Sequence, residues 1–196
     1  MLLASASPRR IAFLEAVGLD FKALPPPGHA EPAPLPGEDP VLYALRAAEA
    51  KACAIPLPSS DSVVIAADTI VVLGGEILGK PDDSNHAYAM LRSLAGKTHT
   101  VVTACVIFHQ NAALHAFSVQ SQVTLWDAPP ELLRAYANSA EPLDKAGAYA
   151  AQGAGTALVR RIDGSWSNVV GLPLAELFEA LLEMGIIAPD EASPLK

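Results

Sequence analysis

The most apolar stretch of the chain contains one acid, Asp68. It stands within Val63-Val64-Ile65-Ala66-Ala67-Asp68-Thr69-Ile70-Val71-Val72-Leu73, where a carboxylate is costly unless it is paired, hydrogen-bonded or metal-bound. Burial and a partner charge also tune a carboxylate for proton transfer, which makes Asp68 the first candidate for catalysis. The alternative is a core Asp bonded to local backbone. Lys80, in Glu76-Ile77-Leu78-Gly79-Lys80-Pro81, is its natural partner if Gly74-Gly75 turns the strand back as a β-hairpin. A two-residue turn pairs Thr69 with Lys80. A three-residue loop including Glu76 pairs Ile70 with Lys80 and sets the amine diagonally beside Asp68, and both registers remain open.

A second chemistry is written at the start, in Ser5-Ala6-Ser7-Pro8-Arg9-Arg10 after the short apolar strand Met1–Ala4. The pattern predicts a helix with Ser7 as N-cap and Pro8 at its first position, burying Ile11, Phe13, Leu14 and Val17 and stopping at Gly18. Arg9 and Arg10 face the positive end of the helix dipole, at a cost of roughly 0.3–1 kcal/mol each. A bound phosphate reverses that sign, because backbone N–H groups and two guanidinium groups converge on it. Solvated surface arginines are the alternative.

Further polar residues cluster in three places. Residues 24–40 carry seven prolines, which exclude a helix or central strand, and Glu31 is the single acid there between Asp20 and Glu38. A helix from Pro40 to Ala54, capped by Asp39, places Val41, Leu45, Ala48 and Ala52 on one face and Lys51 beside an alanine strip. Glu141–Gly155 is too Gly-rich for a helix and too polar for a core strand, and its glycines permit close approach to a ligand. Gly164–Pro173 reads as a polar loop entering the last helix.

The elements that must position these residues follow from periodicity. The strand Val63–Leu73 is apolar on both faces, as a doubly covered strand requires. Helices are expected at Ser84–Leu94, Glu131–Asn138 and Pro173–Met184, and strands at Thr98–Phe108, Ala116–Leu125 and Ala157–Ile162, with a turn near Gln110-Asn111 and a loose tail from Ala188. The mixture indicates an α/β protein with a mixed sheet flanked by helices, in one domain spanning 1–196.

Composition narrows the function. The chain has 196 residues, 51% hydrophobic and 17% charged, with net charge −8, which suits a globular core and argues against a nucleic-acid partner. Such a charge tolerates a polyanionic ligand only if local Arg and Lys residues or a metal outweigh it. Cys53 and Cys105 have no metal-type spacing and read as free thiols of a reducing compartment. No secretion signal or stretch of about 20 apolar residues is evident, so a cytoplasmic protein without a membrane partner is expected.

Several blocks in order resemble one family: LASASPRR at Leu3–Arg10, Lys51 within Glu49–Ala52, ADTIVVL at Ala67–Leu73, ILGKP at Ile77–Pro81, GKTHTVVT at Gly96–Thr103, EPLDKAGAYAAQG at Glu141–Gly153 and GSWSNVVGLPL at Gly164–Leu174. This is similar to the Maf proteins, known as septum formation inhibitors and nucleoside triphosphate pyrophosphatases. Ala67 replaces a common glycine, Trp166 a usual tyrosine, and the acid-rich stretch around Glu31 is reduced to one acid.

The resemblance implies a two-lobed mixed α/β fold around a cleft, similar to inosine triphosphatases, often as a homodimer. It implies hydrolysis of a nucleoside triphosphate between the α and β phosphates with a divalent metal, Mg²⁺ or Mn²⁺. Asp68 would be proton acceptor and, with Glu31, metal ligand. Arg9, Thr69 and Gln152 would be specificity positions, and Arg10, Lys51, Lys80 and Lys145 would hold phosphates. The Asp144–Tyr149 run followed by Gln152 resembles the branch acting on dTTP and UTP. A nucleotide-binding regulator of cell division with little turnover, or a house-cleaning enzyme for non-standard purine triphosphates, are the competing expectations.

Overall fold

The computed structural model describes residues 1–57, 59, 61–109 and 112–188. The turn expected at Gln110-Asn111 and the tail beyond Ala188 lie outside them. The elements in order are β1 (Leu2–Leu3), α1 (Pro8–Ala16), β2 (Lys22–Ala23), α2 (Pro40–Cys53), β3 (Val63–Leu73), β4 (Glu76–Leu78), α3 (Ser84–Leu94), β5 (Thr98–His109), β6 (Ala112–Leu125), α4 (Pro130–Ala137), β7 (Val159–Asp163), α5 (Trp166–Val170) and α6 (Leu174–Glu183). The strands pair in the order β2-β1-β3-β5-β6-β7, with β4 beside β3. β1 runs parallel to β2 and β3, whereas β4 is antiparallel to β3 and β7 to β6. The mixed α/β class is therefore as expected.

The chain divides into two compact units. The first comprises Met1–Asp68, Thr103–Ser118 and Gly171–Lys196, and the second Thr69–Val102 and Val119–Val170. In the first unit the two faces of β3 have different covers, because successive side chains of a strand alternate. Ile65 and Ala67 pack with Leu3, Leu14, Cys105, Ile107, Leu177 and Leu181. Val64 and Ala66 pack with Ala52 of α2, Ile55 and Phe108. Asp68 continues the second face, the one that α2 covers. Tyr43, Ala44, Ala47, Ala48 and Ala52 are the buried side of α2; of the face expected, Ala48 and Ala52 are buried and Val41 and Leu45 half-buried at its edge. Small alanines bring the helix axis close to the sheet, and Asp39 caps it by accepting from the Val41 and Leu42 N–H groups.

In the second unit, Val71, Leu91, Leu94, Val101, Val123, Leu125, Leu133 and Tyr149 form the core. The hairpin register is settled by Leu73↔Glu76 and Val71↔Leu78, a two-residue turn. Gly74 at φ 60° and Gly75 at φ 90° supply the left-handed backbone that such a turn needs. The ladder ends at Leu78, two residues before Lys80, so the register of the three-residue loop is not formed.

Two further expectations change. Ala157 and Leu158 belong to a 3-10 segment, Gly153–Leu158, so the following strand starts later, at Val159. Residues 166–170, expected within a loop, form the short helix α5. The proline-rich connection, free of α-helix and central strand as expected, holds one 3-10 turn, Gly28–Ala30, and is tied to α2. There the Glu38 carboxylate accepts from Arg46 at 2.8 and 2.6 Å and from the Leu35 N–H at 2.8 Å, and Arg46 also donates to the Ala33 carbonyl.

Candidate active site

In the first unit the buried carboxylate of Asp68 pairs with the ammonium of Lys51, and not with local backbone. The same ammonium lies 2.7 Å from Glu31 Oε2. Lys51 thus stands between two carboxylates, one from the buried strand and one from the proline-rich connection. The two residues lie 17 positions apart in sequence, Lys51 in the last turn of α2 and Asp68 in β3. Oδ2 of Asp68 is buried and has no hydrogen-bond partner among the described residues. An orphaned carboxylate oxygen in that setting needs a cation or a proton donor, since leaving it unmet costs about 1–3 kcal/mol or more.

Arg10 completes this basic and acidic cluster. Its Nε donates to the Gly171 carbonyl at 2.7 Å. Burial pushes the guanidinium pKa down, while Asp68 and, more weakly, Cys105 and Glu31 push it back up. Tyr43 feels the same field: burial first, then Asp68 and Glu31, raise its phenol to about 12. Arg9 is half-buried one residue earlier. Ser7 is the residue before α1, with Pro8 at its first position, but no side chain caps the helix and its first turn holds no acid. The serine oxygen used at this turn is Ser5 Oγ, which accepts from the Ser7 N–H at 3.0 Å. The resulting helix start keeps its positive character.

In the second unit, Thr69 is half-buried and Lys80 exposed. The Lys145 ammonium pairs with Asp144 and lies 3.3 Å from the Glu141 carbonyl. Gln152 has extended backbone, φ −133° and ψ 165°. The segment that contains these last residues is no ordinary surface loop. Its turns Glu141–Asp144, Ala146–Ala148 and Gly153–Leu158 bury Pro142, Gly147, Ala148, Gly155 and Leu158. Gly147 has φ 67°, and a Cβ there would stand 3.0 Å from the Val71 side chain, so this glycine is dictated by both backbone and space. Ala148 is held at φ 59°, a conformation that costs a residue with a Cβ on the order of 1 kcal/mol.

Sequence reasoning missed Lys51 as the partner of Asp68, since it placed Lys51 only among phosphate-holding residues. It also missed Glu141 and the buried pair of His99 and Tyr149, whose Nε2 and hydroxyl are 2.7 Å apart. Burial drives the His99 pKa down to about 4, so this imidazole is neutral near pH 7. A histidine inside an apolar strand, followed by a tyrosine in the glycine-rich block, is the signal that was available.

No group of three or more His, Cys, Asp or Glu side chains fit to hold a metal occurs among the described residues. Asp68 and Glu31 share the Lys51 ammonium, and two carboxylates of this kind are the oxygen donors that a hard divalent cation such as Mg²⁺ takes. In the first unit, therefore, two carboxylates flank Lys51, and Arg10 lies within the field of both. A family model for Maf-like proteins matches residues 1–184, and this chain belongs to the Maf family.

Two curated relatives are similar along nearly the whole chain. The dTTP/UTP pyrophosphatase of Nitratidesulfovibrio vulgaris is 50% identical over 187 residues, 95% of this chain and 89% of that protein. That of Oleidesulfovibrio alaskensis is 47% identical over 197 residues, 98% of this chain and 88% of that one. Among solved structures, a HAM1 protein from Coxiella burnetii aligns over 93% of this chain and 98% of its own at 12% identity and a TM-score of 0.49.

Proposed function

We propose that this protein is a nucleoside triphosphate pyrophosphatase that hydrolyses dTTP and UTP to the monophosphate and pyrophosphate. The observation that carries the reading is the buried Asp68, with one oxygen on Lys51 and the other unpartnered among the described residues. The names of the relatives, dTTP/UTP pyrophosphatase, support the substrate class.

In this reading Asp68 takes the proton of the attacking water. The new bond forms between water oxygen and the α phosphorus, the α–β anhydride bond breaks, and pyrophosphate leaves with the electron pair. A divalent cation, Mg²⁺ or Mn²⁺, held by Asp68 and Glu31, would polarise phosphate oxygens and make water easier to deprotonate. Lys51 is shared between Asp68 and Glu31 until a triphosphate gives its ammonium a stronger partner. Arg10, Lys80 and Lys145 bind the remaining phosphate charge, which fixed cations stabilise best in a site with little water. Arg9, Thr69 and Gln152 select the nucleotide. A planar amide with one donor and one acceptor matches the alternating carbonyl and N–H edge of uracil and thymine. Cytosine would leave a partner unsatisfied. Cys53 and Cys105 are unpaired, which suits the cytoplasm. No helix among the described residues is long and apolar enough to cross a membrane. As the family resemblance implies, the working unit is a homodimer.

Product analysis with a panel of triphosphates and either cation tests the activity. Pyrophosphate is the expected product, with dTTP and UTP consumed well ahead of CTP. Orthophosphate as the only initial product would overturn the bond assignment, and tight nucleotide binding without turnover would return the chain to a regulator of division.

Glu31→Gln tests the metal assignment and is expected to be milder. Its carboxylate is 40% exposed, against 6% for Asp68, so water can replace part of what is lost. The variant should need about tenfold more Mg²⁺ or Mn²⁺ for half-maximal rate, the lower end of what losing a metal-site interaction costs. A metal titration identical to the parent's would leave Glu31 as a partner of Lys51 only.

A further inference from the structure

Glu141 reaches the segment that carries Gln152. Its carboxylate accepts hydrogen bonds from the backbone N–H groups of Ala154, at 3.2 Å, and Gly155, at 2.8 Å. Its charge also adds to burial in raising the Tyr136 phenol pKa. The Tyr136 oxygen in turn accepts from the Ala150 N–H at 3.1 Å. The backbone is drawn so tightly onto these groups that a Cβ at Gly153 would stand 2.0 Å from Glu141 Oε1. One at Gly155 would stand 2.5 Å from both Tyr136 Oη and the Ala150 carbonyl oxygen. Trp166 adds a longer contact from its indole N–H to the Ala151 carbonyl, at 3.4 Å.

Gln152 therefore hangs from a stretch of chain gripped on both sides, at Ala150 before it and at Ala154 and Gly155 after it. We propose that Glu141, together with Tyr136, is a positioning residue for nucleobase choice, holding the backbone of Gln152 so that its amide meets the base in one orientation. The inference rests on the reading of Gln152 as the base-selecting residue. Its physical basis is that an amide turned over exchanges donor and acceptor. Thymine and uracil offer an acceptor beside a donor, and cytosine offers the opposite pair, so a loosely mounted Gln can serve either. Discrimination by such a group needs placement to within roughly 0.5 Å and 10–20°. Carboxylate-to-backbone bonds are strong enough to supply it.

The test compares kcat/KM for dTTP and CTP in the parent, Gln152→Ala, Glu141→Gln and Tyr136→Phe, with thermal unfolding of each. In Glu141→Gln, the dTTP-to-CTP ratio should fall about tenfold, the equivalent of one strong hydrogen bond. The fall should come mainly from a gain on CTP and a raised KM for dTTP, with kcat for dTTP little changed. Tyr136→Phe, which removes a single hydroxyl from a buried ring and should fold whatever Glu141→Gln does, is expected to move the ratio the same way by a smaller factor. Equal losses on both nucleotides would mark a purely structural role and overturn the proposal. So would an unchanged ratio in both variants beside a collapsed ratio in Gln152→Ala. An unchanged ratio in Gln152→Ala itself would instead remove the reading of Gln152, and the proposal with it, a failure visible in that variant alone.

Discussion

Asp68→Asn is expected to fold normally and to release pyrophosphate more slowly by a factor on the order of 10²–10⁴, the usual scale for a positioned acid or base. The amide has the shape of the carboxylate, and its oxygen can still accept from Lys51, which also retains Glu31 at 2.7 Å. Nothing buried is left charged and alone, since Asp68 is the more deeply buried member of the pair at 6% side-chain exposure against 13% for Lys51. The unfolding midpoint should therefore stay close to the parent's. What disappears is chemical, because an amide cannot take a proton from water near neutral pH and, being uncharged, holds a hard cation more weakly than a carboxylate does. Initial rates of pyrophosphate release at saturating dTTP, read beside thermal unfolding, separate the two effects. Turnover near the parent's with an unchanged metal requirement would make Asp68 a core residue held by Lys51 and nothing more.

How far the sequence discloses this site is visible in Asp68 and its neighbours. The bounds of β3, Val63–Leu73, are those of the apolar run itself, because a strand covered on both faces has no polar residue to blur its ends. α2 is similarly legible from the Asp39 cap and Pro40, both of which act through local backbone geometry. The partner of Asp68 was not legible. A hairpin suggested Lys80, near in sequence, whereas the amine that reaches the carboxylate is Lys51, from the helix that covers the Asp68 face of the strand. The inward centre of α2 depended on tertiary packing as well, since Tyr43, Ala44 and Ala47 are buried beside the expected Ala48 and Ala52. Gly-rich composition hid the order of residues 141–155 for a related reason. Their 3-10 turns are fixed by Glu141, Tyr136 and the contact of Gly147 with Val71, and none of these leaves a periodic pattern. Arg9 and Arg10 could be read as anion-binding because helix polarity is local, but the bond from Arg10 to Gly171 spans 161 positions and has no sequence signature.

Lys51→Met should be the more damaging exchange for stability, although it replaces a charge by an apolar side chain of similar length. It leaves Asp68 buried, with its Oδ1 deprived of the ammonium and its Oδ2 already lacking a partner among the described residues. Removing one member of a buried pair costs about 3–5 kcal/mol, and the field of Arg10 beside Asp68 should hold the loss to roughly the lower figure. Chemical denaturation of Lys51→Met, Asp68→Asn and the double variant resolves the origin. If the penalty comes from the stranded carboxylate, the double variant recovers most of the stability that Lys51→Met loses, a coupling that independent sites do not show. The same logic predicts the response to a cation. With the ammonium gone, Asp68 and Glu31 lose the cation they share, and Mn²⁺ added without nucleotide should raise the unfolding midpoint of Lys51→Met by mass action. In the parent, Lys51 already answers both carboxylates and the shift should be small. A Lys51→Met protein as stable as the parent and indifferent to Mn²⁺ would mean that Arg10 alone neutralises Asp68 and that the two carboxylates form no shared cation site.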